Sequence, residues 1–182
     1  MRAPDWLQEQ SRLQPDHVAV IDNRGEQTTF AGLERRTDDI YRRLRAEGIG
    51  SGATVFSLLQ PELGFVSLLH AVRGLGAILA VGSRKWTEEE VRRAAELARP
   101  AIVLADADFA SLGRIAATTA NARLVLVHGE SIDLPVPDAV SPIERVMELT
   151  SPYTLLFTSG TSGAAKAIVH SGANYFASTQ AS

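Results

Sequence analysis

The sequence has no cysteine, no long apolar run and no excess of positive charge. Without cysteine the chain can form no disulfide framework, no thiolate metal site and no cysteine nucleophile. Its longest apolar runs, such as residues 77–81, are far shorter than the ~20 residues that a membrane helix needs. A net charge of −3 provides no overall positive field for nucleic acid. We therefore expect a cytoplasmic protein that binds neither a membrane nor nucleic acid.

Hydrophobic residues make up 45% of the 182 residues, which is ample for a buried core. After residue 53, apolar segments of strand length alternate with amphipathic helical patterns. Such alternation is typical of a parallel sheet that is covered by helices on both faces. The predicted fold class is therefore α/β, with a three-layer parallel-sheet subdomain.

The alternation divides the chain into three consecutive parts. Residues 1–52 predict a leading helix, a hairpin around Asn23-Arg24-Gly25 and a longer helix that stops at Gly48. Residues 53–150 predict parallel βα units, with a capping box that starts at Thr87. Residues 151–182 predict a strand, a loop, a returning strand and the start of a helix. Because the sequence stops inside that last pattern, we expect a shortened form of a longer protein.

Residues 129–141 form an irregular stretch before the last strand. Ser141-Pro142-Ile143-Glu144 then offers an N-cap, a proline at the first helical position and a glutamate two positions later. This pattern predicts a short helix that runs to about Leu149.

One segment concentrates groups that bind anions. Thr158-Ser159-Gly160-Thr161-Ser162-Gly163-Ala164-Ala165-Lys166 directly follows an apolar strand, and Lys85 is the only other lysine of the chain. Glycines let successive N–H groups point toward one anion, hydroxyls add donors, and lysine adds a positive charge. The spacing matches neither the G-x-x-x-x-G-K-[ST] phosphate loop nor the G-x-G-x-x-G dinucleotide fingerprint. The residues favour phosphate binding over a plain connecting loop, and both interpretations stay open.

The segment resembles the phosphate-loop signature of the adenylate-forming enzymes, which include acyl- and aryl-CoA synthetases, luciferases and peptide-synthetase adenylation domains. The resemblance extends along the chain, through residues 28–33, 48–55 and 65–77. Within that superfamily, residues 83–90 and 106–109 look most like the o-succinylbenzoate–CoA ligases of menaquinone synthesis. The resemblance implies the opening part of the family's large N-terminal domain.

The resemblance also implies a site. By resemblance, the phosphates of ATP would be bound by Thr158, Ser159, Gly160, Thr161, Ser162, Gly163 and Lys166, while Asn174 and Tyr175 would approach the substrate or the nucleotide. ATP, Mg²⁺ and CoA would serve the complete enzyme, with a small carboxylate as its substrate. Ala165 and Ala167 depart from the proline and glycine that usually flank this lysine.

The family's adenine-binding segment, its Mg²⁺-binding glutamate, its ribose-binding aspartate and its C-terminal domain with the catalytic lysine have no counterpart in these residues. The chain alone is therefore expected to carry no catalytic residue and no metal ligand, and to be inactive, although its parent would be an acid–thiol ligase. The alternatives are a ligase for another acyl or aryl acid, a non-catalytic nucleotide- or phosphate-binding module, and a phosphate-binding protein unrelated to adenylation.

An incomplete sheet also predicts a partner. Parallel sheets need cover on both faces, so an exposed face or edge should be covered by a second copy or by the remainder of the enzyme. The four histidines lack metal-ligand spacing. His70 is interpreted as a buried, hydrogen-bonded core residue, and His170 as the histidine nearest to the loop.

Overall fold

The computed structural model describes residues 2–129, 131–135, 145–159 and 165–180. The strands are β1 (Arg2–Pro4), β2 (Val18–Ile21), β3 (Gln27–Thr29), β4 (Thr54–Leu58), β5 (Ile78–Val81), β6 (Ile102–Asp106), β7 (Arg123–His128), β8 (Ser131–Ile132), β9 (Val146–Glu148), β10 (Pro152–Ser159) and β11 (Ala165–Ser171). The helices are α1 (Trp6–Leu13), α2 (Phe30–Ala46), α3 (Leu63–Gly74), α4 (Glu88–Ala98), α5 (Ala110–Ala120) and α6 (Gly172–Gln180), with a 3₁₀ turn over Ala107–Phe109. None of the helices in these ranges is long and apolar enough to cross a membrane.

Seven strands form the main sheet, in the order β11-β10-β5-β4-β6-β7-β8. The five inner strands are parallel to one another, whereas β11 and β8 pair antiparallel at the two edges. Two small antiparallel pairs, β2-β3 and β1-β9, lie outside this sheet. The predicted fold class is confirmed, and the two-residue strand β8 is an addition that the sequence analysis did not anticipate.

Helices cover both faces of the sheet because successive strand residues point to opposite sides. Val55, Leu79 and Leu104 pack with residues of α2 and α3 on one face. Phe56 and Val103 pack with residues of α4 and α5 on the other face. These side chains are fully buried, and each such burial contributes roughly 1.5–3 kcal/mol. The strands are therefore fixed in a three-layer stack, and the ends of the strands form two opposite edges.

Local signals in the sequence account for several element boundaries. The predicted capping box is present: the Thr87 side chain accepts from the Glu90 backbone N–H, and Glu90 accepts from the Thr87 N–H. Gly25 and Gly48 have φ values of +83° and +81°, which favours glycine at these two turns. The predicted hairpin and the stop of the second helix are confirmed. At α1, the Asp5 carboxylate caps the helix by accepting from two backbone N–H groups.

The predicted helix that ends at about Leu149 is wrong for residues 146–148, while residues 141–144 lie outside the described part of the chain. Residues 146–148 form strand β9, with Met147 opposite Ala3 of β1. Pairing between segments more than 140 positions apart in the chain overrides the local helix signal, and it buries Met147. Strand β1 was not predicted, because three residues carry no recognisable period.

Arg145 links the β1–β9 pair to the helices. Its side chain is fully buried, and its backbone N–H donates to the Gln8 side chain at 2.9 Å. The guanidinium forms ion pairs with Asp5 at 3.4 Å and with Glu34. A Cβ atom at Gly74 would lie 2.4 Å from Cδ of Arg145, so the arginine passes where only glycine leaves room. The ion pairs therefore join α1, α2 and β9.

Candidate functional site

The hairpin β10–β11 presents the described part of the predicted phosphate loop. Thr158 near the end of β10 lies directly opposite Lys166 near the start of β11. Directly opposed residues of an antiparallel pair project to the same face. Both residues are exposed. A hydroxyl donor and an ammonium group therefore share one face of the hairpin, beside its turn.

The turn itself is only partly described. Ser159 is the last residue of β10 and pairs with Ala165. Gly160, Thr161, Ser162 and Gly163 lie outside the described residues, so their role as phosphate ligands stays a prediction.

Aromatic packing holds the end of the hairpin that carries Thr158 and Lys166 against the rest of the sheet. Phe157 lies on the α4 face, where its ring centroid is 5.3 Å from that of Trp86 and 6.1 Å from that of Phe56. Since neighbouring strand residues alternate, Thr158 projects to the opposite face. The parallel pairing of Leu156 with Val81 places the end of β10 beside the end of β5. The predicted phosphate loop thus begins at the carboxyl edge of the parallel strands, where α/β sheets bind ligands.

A second polar cluster lies at the same edge and was missed by the sequence analysis. The Gln60 backbone N–H, after β4, donates to the Asp106 carboxylate at 2.6 Å, and Arg84, after β5, donates to the Gln60 side chain. The Arg84 guanidinium lies 5.6 Å from the Phe109 ring centroid, which gives it a cation–π contact. Lys85 follows directly. Both lysines of the chain are therefore placed at the carboxyl edge.

The signal that could have identified this cluster is topological. The chain places β5 on one side of β4 and β6 on the other, so the strand order reverses at β4. Ligands bind outside the carboxyl ends of strands at such a reversal. Gln60 follows β4 and Asp106 is the last residue of β6, but only the pairing of β4 with β6 brings these two residues together.

Burial raises the pKa of Asp106 above its ordinary value of 3.8, and the hydrogen bond from Gln60 acts in the opposite direction. A carboxyl group with a raised pKa binds its proton more tightly in the folded state. The same edge borders a cavity of about 350 Å³, lined by Gln60, Glu62 and Arg84 and by the tip of the β2–β3 hairpin. The site therefore combines charged groups with space for a ligand of moderate size.

Asn174 and Tyr175 lie at the other end of the hairpin. Ser171 caps the start of α6 by accepting from the Asn174 N–H, and the Asn174 side-chain oxygen accepts from the Ser171 N–H and hydroxyl at 2.8 Å. The Tyr175 hydroxyl shares a 2.8 Å hydrogen bond with the hydroxyl of Thr154. Thr154 is separated from Ser159 by about 17 Å of strand. These two side chains therefore do not reach a phosphate held at the turn, and a role toward the acyl substrate stays a prediction.

His170 is also distant from the turn. His170, the histidine nearest to the loop in the sequence, lies opposite Thr154, with its ring 5.9 Å from that of Tyr175. His70 is largely enclosed, but its Nδ1 has no hydrogen-bond partner among the described residues, contrary to the prediction of a hydrogen-bonded core histidine. Within the described ranges, no group of three histidine, aspartate or glutamate side chains is placed to hold a metal ion.

Residues 7–182 match the sequence profile of the AMP-binding enzyme family, so the chain belongs to that family. The chain is 24% identical over 175 residues to the 2-succinylbenzoate–CoA ligase of Bacillus anthracis (strain A0248). It is 27% identical over 173 residues to the corresponding ligase of Geobacillus kaustophilus (strain HTA426). These alignments cover 96% and 95% of the chain but 34% of each relative. The chain thus spans about a third of the length of these relatives.

Solved structures show the same fold. The o-succinylbenzoate coenzyme A synthetase from Bacillus subtilis, in complex with ATP and magnesium ion, superimposes with a TM-score of 0.86 at 24% identity. That alignment covers 100% of this chain and 37% of the synthetase. ATP-bound MatB from Rhodopseudomonas palustris gives a TM-score of 0.78 at 20% identity, over 98% of this chain and 37% of MatB. The three-layer architecture is therefore that of the opening part of these enzymes.

Proposed function

We propose that this chain forms the triphosphate-binding part of an ATP-dependent carboxylate–CoA ligase. The observation that carries the proposal is the pairing of Thr158 with Lys166 beside the turn of β10–β11, at the carboxyl edge of the sheet. Membership of the AMP-binding family supports ATP as the nucleotide. Arg84 and Lys85 add positive charge at the same edge, which favours a polyphosphate ligand.

In this reaction class, a carboxylate oxygen attacks the α-phosphorus of ATP, and the bond to the β-phosphate breaks to release pyrophosphate. The thiol of CoA then attacks the acyl carbon, the bond from that carbon to the phosphate oxygen breaks, AMP leaves, and the thiol loses its proton. Lys166 would offset negative charge on the outer phosphates, and the Thr158 hydroxyl would donate to a phosphate oxygen. Mg²⁺ would further neutralise the phosphates, and the family resemblance implies that its glutamate ligand lies outside these 182 residues.

For the acid, we propose o-succinylbenzoate, the substrate of a step in menaquinone synthesis. The support is the name carried by relatives from two genera and by the Bacillus subtilis synthetase. At 24% to 27% identity, a ligase for another acyl or aryl acid is the alternative. A panel of carboxylates offered to the complete enzyme would distinguish the two.

We also propose that the chain binds ATP without turning it over. A loop that grips the outer phosphates does not by itself hold the α-phosphorus in line with a carboxylate. Purified chain with ATP, Mg²⁺ and o-succinylbenzoate should therefore bind ATP in a calorimeter but release no pyrophosphate beyond background. Sustained pyrophosphate release would overturn the inactivity. A chain that binds ATP and has no ligase parent would instead be a nucleotide-binding module, which the coding sequence beyond Ser182 would reveal.

Lys166→Ala tests the role of the loop. Loss of a charge-assisted hydrogen bond costs roughly 1.5–3 kcal/mol, so the Kd for ATP should rise about 10- to 150-fold. Arg114→Ala, on the exposed surface of α5, removes one positive charge elsewhere and should leave the Kd within about twofold. Equal affinities of the wild-type chain and Lys166→Ala would contradict the proposed phosphate contact.

We further propose that the outer edge of β11, on the side away from β10, is covered in the complete protein. Ile168 and Val169 point to opposite faces of this edge strand, and they are 44% and 52% exposed. An unpaired edge with apolar side chains on both faces is a template for association. The remainder of the ligase is the proposed cover, and a second copy of the chain would take its place when the remainder is absent.

A further inference from the structure

A partly buried positive charge lies at the opposite edge of the sheet from the candidate site. Arg73 occupies the last turn of α3, which leads to the amino end of β5. Its guanidinium carbon lies 4.6 Å from the ring centroid of Trp6 and 5.7 Å from that of Tyr153. Burial lowers the pKa of Arg73, although a guanidinium stays protonated in proteins. The two rings therefore enclose a permanent cation.

Arg73 lacks a counter-ion in the described part of the chain. Its Nε and Nη2 atoms are shielded from solvent and have no hydrogen-bond partner there. Asp5 is the carboxylate that acts on Arg73 electrostatically, but its oxygens already accept from the N-terminus of α1 and from Arg145. Buried donors without acceptors are costly, more so when they are charged. Cation–π contact with Trp6 offsets part of this cost but leaves both N–H groups unsatisfied.

The unsatisfied guanidinium borders a small cavity. The cavity has a volume of about 30 Å³ and lies between the last turn of α3, β9 and the start of α6. Its wall is tight: a Cβ atom at Gly172 would lie 3.3 Å from the Cα and carbonyl oxygen of Leu149. About 10–15 Å³ of such space holds one water molecule, so the cavity has room for a monatomic ion but not for a nucleotide.

We propose that this cavity binds a monatomic anion of the halide class, held by the Nε and Nη2 groups of Arg73. A water molecule would satisfy a donor but would leave the positive charge uncompensated in its low-dielectric setting, whereas a halide does both. Glu148 also lines the cavity, without an ion pair to Arg73 among the described residues, and it should weaken the binding of an anion by repulsion. The site is independent of the proposed ATP-binding function.

Anomalous diffraction from crystals grown in bromide tests the proposal directly. We expect a bromine peak within hydrogen-bond distance of Arg73 Nε or Nη2, which excess chloride removes. Arg73→Met should abolish this peak, whereas Glu148→Gln should retain it at equal or higher occupancy. A cavity that contains only water in the wild-type crystal, while bromide occupies surface sites, would overturn the proposal.

Thermal unfolding in solution provides an independent measurement. At constant ionic strength, replacement of gluconate by chloride should raise the Tm of the wild-type chain, because a ligand of the folded state stabilises it. Compared with the wild-type chain, the increase in Tm caused by chloride should be larger for Glu148→Gln, equal for Arg114→Met and absent for Arg73→Met. An equal chloride response in the wild-type chain and Arg73→Met would contradict an anion at this position.

Discussion

At the scale of single residues, His70 shows how enclosure changes a titratable group. Burial lowers the pKa of His70 from 6.5 to about 4, and the positive charges of Arg73 and Arg145 act in the same direction. The imidazole is therefore neutral in the folded protein at pH 5 to 6, whereas it is largely protonated in the unfolded chain at pH 5.

His70 should therefore make stability depend on pH between about 6.5 and 4. The unfolded state binds the extra proton in this window, so the free energy of unfolding should fall as the pH falls, by up to about 3 kcal/mol from this group. His70→Gln should flatten that fall, as measured by urea unfolding at pH 7, 5.5 and 4.5. His128→Gln, at the exposed end of β7, should keep the wild-type slope. The same slope in His70→Gln and wild type would show that another group titrates.

The sequence located single residues better than it located their partners. Thr87, Gly25 and Gly48 act locally, within a few positions of the chain, and their roles were predicted correctly. The Gln60–Asp106 hydrogen bond and the ion pairs of Arg145 join residues 46 to 140 positions apart, so no local pattern indicates them. Long-range polar contacts of this kind depend on strand order, which was not predicted.

At the scale of elements, the hairpin β10–β11 carries the candidate site at one end and an exposed apolar edge along its length. β11 pairs only with β10 in the described part of the chain. Phe176 of α6, which follows β11 in the chain, is also 45% exposed, although its ring lies 6.0 Å from that of Trp6. Phe157 thus packs the β10 strand against the sheet, whereas β11 has no second strand partner in the described part of the chain.

Lysine substitutions on β11 should abolish self-association. We expect the chain to form dimers or larger species at high concentration, since the edge offers free backbone groups and apolar side chains. Ile168→Lys with Val169→Lys should give a monomer by light scattering, because charged side chains block edge pairing. Leu97→Lys, on a comparably exposed site of α4, should not change the association. A wild-type chain that is monomeric at high concentration would refute this expectation.

Elements with a strong period, a cap or a turn signal were predicted from the sequence, whereas strands β1, β8 and β9 were not. The central strands and α2 to α5 have long apolar patterns that pack against each other, and α1 packs through Leu7 on α2 and α3. Strands β1, β8 and β9 are two or three residues long, and each depends on a partner strand for its existence. The proline-based helix signal at 141–144 was therefore followed by a strand that tertiary pairing creates.

At the scale of the whole molecule, the two edges of the sheet have different chemistry. The carboxyl edge carries Thr158 and Lys166 together with the polar cluster of Gln60, Arg84 and Asp106. The amino edge holds the enclosed Arg73, with its small cavity. The order β10-β5-β4-β6-β7 creates this separation, because all five strands point the same way. The charged groups proposed to bind a nucleotide therefore lie together at the carboxyl edge.

The central claim is that the turn between β10 and β11 holds the triphosphate of ATP, and amide NMR during an ATP titration tests it most directly. The account predicts saturable shifts of the Thr158, Ser159 and Lys166 amides, which are much weaker with AMP because AMP lacks the two outer phosphates. Shifts that are absent from these three amides at saturating ATP, or equal for ATP and AMP, would contradict it.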